Sequence, residues 1–410
     1  MDERTLPAAT STPRAARLAP LPAGPTAPEK REDAVPLPWA PAPALEPTVF
    51  FFCRLGDMVM LTALLKMLHR RYRRPCQVIG TGSWTASVYQ GSADVSRVWS
   101  FGRHIPFPLS PAWPSLARAL RATDPGPIYV CERHYRQLPR IRRMLALSGV
   151  NAARCVFISD DPERLDRHFI DQLLSLGERT PPALQATDYL LPPAHPVWTP
   201  QLQVSDSERA ERDAWLAQRG WSGRQIILVQ PGNHRSMSRR RARWRRLNAD
   251  DKAWPMERWV ALLKLMHARM PQALIVLRGA QLEVPMLRQI QAAVGSEGVE
   301  VAGLDLRRSF ALCESAHSMV SVDTGPAHAA AALGVPLVVL FGAHLTNYWS
   351  PRSSSTSPVL ALGGPPVSTR VDQIDVQTVF DAWCTLLERT PGGVAQISSA
   401  AVFQQVHRQL

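Results

Sequence analysis

Short apolar runs alternate with segments of helical period along most of the chain. TVFFFCRL (48–55) is an unbroken apolar run that reads as a strand buried on both faces. The helix predicted next, GDMVMLTALLKMLHRRY, sets Met58, Leu61, Leu64, Leu65 and Leu68 on one face and ends in basic residues, as suits a helix C-terminus. QVIG and GPIYVCE (126–132) read as further strands. A proline-rich stretch, 178–205, interrupts the pattern and predicts a connection between two units. Beyond it the alternation resumes: helix SDSERAERDAWLAQRG, strand RQIILVQPG, helix WPMERWVALLKLMHARM, strand QALIVLRGA, helix SFALCESAH and strand SMVSVD. The chain then runs through a polar joint into the alanine-rich helix PAHAAAALG and a second apolar strand. DVQTVFDAWCTLLE (375–388) is a closing helix.

Strand–helix alternation of this kind predicts parallel sheets with helices on both faces. The expectation is an α/β chain of two doubly wound domains, 47–200 and 201–390, facing a cleft at the carboxyl ends of their strands. Residues 1–46, rich in Pro and Ala and without apolar period, predict a disordered leader, and 391–410 is a tail with no signal. A length of 410 residues exceeds one ordinary core, which agrees with two domains. Pro, Gly or His breaks every apolar run before it could span a bilayer, and MDERTL opens without a secretory apolar region. Six scattered cysteines, without a CxxC, suit reduced thiols. A cytoplasmic location is expected.

The charge balance narrows the partner. Lys and Arg number 47 against 34 Asp and Glu, a net +13 that points to an anion: nucleic acid, a membrane surface or a phosphorylated substrate. The run of arginines at 239–246, interleaved with Trp244, is the strongest nucleic-acid feature, yet such runs are more often solvated faces or contacts to anionic lipid.

Candidate chemistry gathers at strand ends. In SVDTGPAH (321–328), Asp323 or Thr324 falls at a helix N-cap, and Pro326 falls where its missing N–H costs nothing. Gly325 admits close approach, the free amides favour an anion, and His328 can donate to a phosphate or ribose. A capped helix with a packed histidine fits the same residues. Asp-Thr-Gly also occurs in aspartic proteases, but the second such aspartate and β-rich fold they need are missing from the pattern. In CRLGDMV, Asp57 starts the first helix, either as an ordinary cap or as a general base; the helix N-terminus should keep it ionised and only weakly basic. Lys252, just before the Trp-Pro that opens a helix, is placed to reach a phosphate between the domains. Glu283, after the strand ending at Gly279, is a partner for ribose hydroxyls or a solvated surface residue.

Taken in order over residues 48–390, these stretches resemble glycosyltransferase family 9, the ADP-heptose:lipopolysaccharide heptosyltransferases and their relatives. The resemblance implies the GT-B fold, two Rossmann-like doubly wound domains with the donor on the second. It implies Asp57 as catalytic base beside Gly56 and Lys252 on the diphosphate. It implies Glu283 on the nucleoside, and Asp323, Thr324, Gly325 and His328 around the donor's phosphates. The implied reaction is an inverting transfer from a nucleotide-sugar, ADP-heptose, to a lipid-linked acceptor at the inner face of the cytoplasmic membrane. No cofactor is implied, and without an Asp-x-Asp in the sequence no catalytic metal is required. The loop 234–251 is longer than the family pattern: a surface insertion, or a source of arginines for phosphate. Two alternatives stand beside this reading: the same chemistry on a protein acceptor or with another nucleotide-sugar, and a non-catalytic basic protein that binds membrane or nucleic acid.

Overall fold

The apolar run at 48 divides its side chains strictly between two faces. Val49, Phe51 and Cys53 enter one hydrophobic cluster, whereas Phe50 and Phe52 enter another. Leu337, Val339 and Phe341 are divided from Val338 and Leu340 in the same way. Period-two side chains that are apolar on both sides demand a sheet covered twice.

The computed structural model describes residues 42–389 apart from 103–104, 122–125, 192–197, 234–250 and 296. Most of the predicted leader, the arginine run and the tail lie outside the described residues. The first half comprises β1 (Thr48–Phe50), α1 (Leu55–Tyr72), β2 (Cys76–Thr81), α2 (Trp84–Tyr89), β3 (Val95–Phe101), α3 (Trp113–Arg121), β4 (Ile128–Val130), α4 (Leu138–Leu147), β5 (Cys155–Phe157) and α5 (Phe169–Glu178). The second begins with α6 (Asp206–Gln218), β6 (Ile226–Gln230), α7 (Met256–Arg269), β7 (Leu274–Gly279), α8 (Val284–Val294) and β8 (Val299–Gly303). It ends with α9 (Leu306–Glu314), β9 (Ser318–Val322), α10 (Gly325–Ala332), β10 (Leu337–Phe341), α11 (Thr346–Trp349), β11 (Val359–Gly363) and α12 (Val376–Arg389).

Every strand pairing is parallel, in the orders β3-β2-β1-β4-β5 and β11-β10-β9-β6-β7-β8. Both sheets follow the Rossmann order, reversing between the first and fourth strand of each half. The predicted first strand extends too far. Its ladder ends at Phe50, residues 51–54 continue beyond the last paired strand, and Leu55 already belongs to α1. The proline-rich stretch is not idle: Trp198, Leu202 and Val204 pack into the cluster around α1.

The halves meet through two helices. α1 lies against α10, whose alanines divide between the second sheet (Ala327, Ala330, Ala331) and the shared cluster with α1 (Ala329, Ala332). At the crossing, a Cβ on Gly325 would lie 2.8 Å from Leu55 Cβ and 3.0 Å from the Gly56 backbone nitrogen. A second bond is polar. Arg352 grips Asp171 with two hydrogen bonds of 2.5 and 2.7 Å, Tyr348 donates to Glu163 at 2.6 Å, and His168 Nε2 lies 2.8 Å from the Ser350 carbonyl.

Gly325→Val should therefore wedge α1 from α10 and lower stability by about 1–3 kcal/mol, the usual cost of overpacking. Urea unfolding reads this as an earlier midpoint, with the far-UV circular dichroism of the folded protein unchanged.

Candidate functional site

In a doubly wound sheet, the crevice opens at the carboxyl ends of the two strands where the order reverses. Here those are β1 and β4 in the first half, β6 and β9 in the second. Asp57 follows β1 and Glu132 follows β4; Asn233 follows β6 and Asp323 follows β9.

Asp57 is the third residue of α1, and its Oδ2 accepts the Arg54 backbone N–H at 3.0 Å. The capping role is thus real. The expected weak basicity is altered by the surroundings: burial pushes the Asp57 carboxyl above the ordinary aspartate range. The Arg54 amide and guanidinium pull it down, the Asp323 charge raises it further, and His344 lowers it. Desolvation between the halves outweighs the helix terminus, which makes Asp57 a stronger base than a surface cap. Its neighbour Gly56 is a contact point: a Cβ there would stand 2.9 Å from His328 Cδ2 and 3.4 Å from Gly325 Cα. The start of α1 and the start of α10 therefore face the same space.

Across that space, Lys252 Nζ lies 2.6 Å from Asp323 Oδ2 and 3.2 Å from both the Asp323 carbonyl and His344 Nδ1. His344 Nδ1 is also 2.7 Å from Asp323 Oδ2. Asp323 is only 6% exposed. Burial alone would raise its carboxyl, but the His344 hydrogen bond and the Lys252 charge and hydrogen bond prevail and hold it well below the usual range. An ionised Asp323 repels phosphate, so its place in the cluster is to hold the Lys252 ammonium and the His344 ring at the helix mouth. Thr324 is the N-cap of α10, with its hydroxyl turned to the Val322 carbonyl at 3.2 Å and without a side-chain cap bond. In the first turn Pro326 lacks an N–H, and the Ala327 and His328 amides bond the Thr324 carbonyl at 3.0 and 3.4 Å, which leaves the Gly325 N–H to an anion. His328 is buried, and burial drives its imidazole down to about 4, so it is neutral near pH 7. Its ring carries no hydrogen bond to the described residues.

Glu283 is no solvated surface residue. It is 5% exposed and wedged between two glycines: a Cβ would meet its carboxylate at 2.0 Å from Gly232 and 2.7 Å from Gly279. Oε2 accepts the Ala280 N–H at 2.7 Å, while neither Oε1 nor the buried Gln230 Oε1 has a hydrogen bond within the usual distance among the described residues. Burial raises the Glu283 carboxyl above its ordinary range. A buried acceptor without a donor fits a ligand hydroxyl. Lys252, Asp323, Thr324, Gly325 and His328 thus gather at one helix mouth, Gly56 and Asp57 face them from α1, and Glu283 sits at the neighbouring edge of the second sheet.

Two groups escaped the sequence reading. His344 follows β10, two residues after the Phe-Gly that closes the strand. Glu132 ends the apolar run GPIYVCE, which was read as a strand and no more. It is 4% exposed, with Oε2 accepting the Phe52 N–H at 3.2 Å and Oε1 the His134 N–H at 2.8 Å. Burial, against those amide bonds and with the charge of Asp57, pushes its carboxyl up to about 7. The available signal was positional: a polar residue just past the carboxyl end of a fully apolar parallel strand lies at the crevice.

Two open parallel sheets of Rossmann order, with a carboxylate in one half facing an anion-ready helix mouth in the other, define a GT-B fold. Residues 183–371 match the model of glycosyltransferase family 9 (heptosyltransferase). Among curated proteins, lipopolysaccharide heptosyltransferase 3 of Escherichia coli is 30% identical over 108 residues, 25% of this chain and 31% of that protein. The fold resembles ADP-heptose lipopolysaccharide heptosyltransferase II of E. coli, with a TM-score of 0.62 and 19% identity over 84% of this chain and 99% of that one. It also resembles a family 9 glycosyltransferase of Veillonella parvula, at 0.66 and 14% over 85% and 98%. E. coli heptosyltransferase WaaC, solved with ADP, gives 0.59 and 15% over 83% and 100%.

The Glu132 carboxyl gives a pH test. A folded-state value near 7 against an unfolded 4.5 means that folding disfavours its charged form. The penalty is absent below the unfolded value, grows between about pH 4.5 and 7, and reaches roughly 3 kcal/mol above that. Glu132→Gln removes this component, so the stability difference between variant and wild type should shift in favour of the variant across that window. Chemical denaturation at pH 4.5 and 7.5 measures it.

Proposed function

We propose that the protein is an inverting glycosyltransferase that moves a heptose from ADP-heptose to an acceptor hydroxyl of the lipopolysaccharide core, without a metal ion. The observation that carries this reading is the approach of Gly56 and Asp57, at the start of α1, to the mouth of α10 and the Lys252–Asp323–His344 cluster. The donor's diphosphate takes the Gly325 amide at the mouth of α10, with Lys252 and His344 beside it, in the half running over 201–390. Glu283 accepts hydrogen bonds from the nucleoside. As the C1–O bond breaks, negative charge grows on the leaving diphosphate, where a fixed cation and oriented amides act most strongly. Asp57, on the acceptor side (47–200), takes the proton of the attacking hydroxyl on the opposite face of the sugar, and inversion follows from that geometry. Its raised carboxyl suits the task, because a base nearer the working pH transfers protons more effectively. The similarity to heptosyltransferases, two of them described by ADP-heptose or ADP, supports this donor. A lipid-linked acceptor puts the work on the cytoplasmic face of the membrane, and no described helix is long and apolar enough to cross one.

ADP should raise the melting temperature more than UDP or GDP, and Lys252→Ala should remove most of that rise. Asp57→Asn should lower kcat by about 10²–10⁴-fold while keeping the ADP-induced rise. Transfer that continues undiminished in Asp57→Asn removes it as base; a melting temperature indifferent to every nucleotide overturns the donor reading.

A further inference from the structure

The outer layer of the first half has a surface that the transfer chemistry does not use. Eight arginines but only two acids fall in residues 105–158. One of those acids, Glu132, is buried with both oxygens on backbone amides. Neither α3 nor α4 contains an acidic residue. Arg118, Arg136, Arg142 and Arg143 are exposed, and none has an ion-pair partner among the described residues.

The same layer shows unusual apolar exposure. Leu109 is 74% and Tyr135 70% exposed, and Ile105 and Leu147 are exposed as well. Direct bonds join two of these residues to the helices. Arg140 of α4 donates to the Ile105 carbonyl at 3.0 Å, and Arg121 of α3 donates to the Leu147 carbonyl at 2.9 Å. Tyr135 stacks on the His134 ring, at 4.8 Å, and has the Arg136 guanidinium 5.2 Å from its ring centre. A solvated basic face needs arginines and no exposed Leu, Ile and Tyr. A partner for this face has to offer negative charge at the arginines and an apolar layer for the protruding side chains. Unpaired arginines interleaved with protruding apolar and tyrosyl side chains fit a surface whose headgroups are anionic and whose next layer is apolar.

We infer that the α3–α4 layer, with the loops that carry Leu109 and Tyr135, docks on an anionic lipid bilayer. The arginines provide the headgroup attraction and the apolar tips enter the interface. This assigns membrane contact to a folded surface rather than to the arginine run at 239–246. Its purpose rests on the lipid-linked acceptor proposed above. Its test does not, because vesicle binding is measured without donor or acceptor and can fail or succeed whatever the transfer assay gives.

Full-length protein is sedimented with phosphatidylcholine vesicles, with and without phosphatidylglycerol. Wild type should bind the anionic vesicles and release them as salt rises. The triple variant Arg136→Glu, Arg142→Glu, Arg143→Glu should bind at least about a hundredfold more weakly. Leu109→Ser with Tyr135→Ser should weaken binding and make the remainder more sensitive to salt. A melting curve matching wild type certifies the fold of each variant. Equal binding to both vesicle types overturns the proposal. So does a triple variant that binds like wild type, a loss produced only by replacing the 239–246 arginines, or a preference for RNA over anionic vesicles.

Discussion

The arrangement depends on how closely α1 and α10 approach. Gly56 and Gly325 meet where any side chain would collide with Leu55, with His328 or with backbone, and the alanines of α10 keep the rest of the crossing thin. This contact sets two helix N-termini, from different sheets, at the edge of one cleft. It also dries the space between them, and the drying explains the unusual ionisations. Asp57 is raised, His328 is kept neutral, and Asp323 stays charged only because Lys252 and His344 hold it. The electrostatics of the site are therefore a product of packing as much as of the residues themselves.

The two halves divide the polarity of that cleft. The first half brings carboxylates, Asp57 and Glu132, to the switch point of its sheet. The second brings the Lys252 ammonium and the mouth of α10, with Asp323 held by its own partners and Glu283 buried at the neighbouring edge. A substrate with a hydroxyl at one end and a diphosphate at the other has a natural orientation in such a field, proton donor toward the acids and phosphates toward the helix mouth.

Much of this was legible in the chain because parallel strands and their switch points are written in apolar periodicity. The runs at 48, 226, 274, 318 and 337 stand out since each is buried on both faces, and the chemistry directly after them is found by position. Shorter elements were not legible. β4 and β5 have three residues each, and β3 exposes several of its side chains, so neither length nor period distinguishes them from loops. Asp57, Lys252 and His328 are readable from local context, a cap, a Trp-Pro and an alanine helix. Glu132, His344 and the burial of Glu283 depend on contacts made by distant residues, among them Phe52, Asp323 and Gly232, which no local pattern encodes.

The clasp formed by Glu163, His168 and Asp171 against Tyr348, Ser350 and Arg352 ends only a few residues from His344, and Trp349 lies 6.2 Å from the His344 ring. A clasp anchored in the first half thus ends beside the Lys252–Asp323–His344 cluster of the second. The segment 344–352 therefore serves two ends at once, the polar join between the halves and the cluster of Lys252, Asp323 and His344.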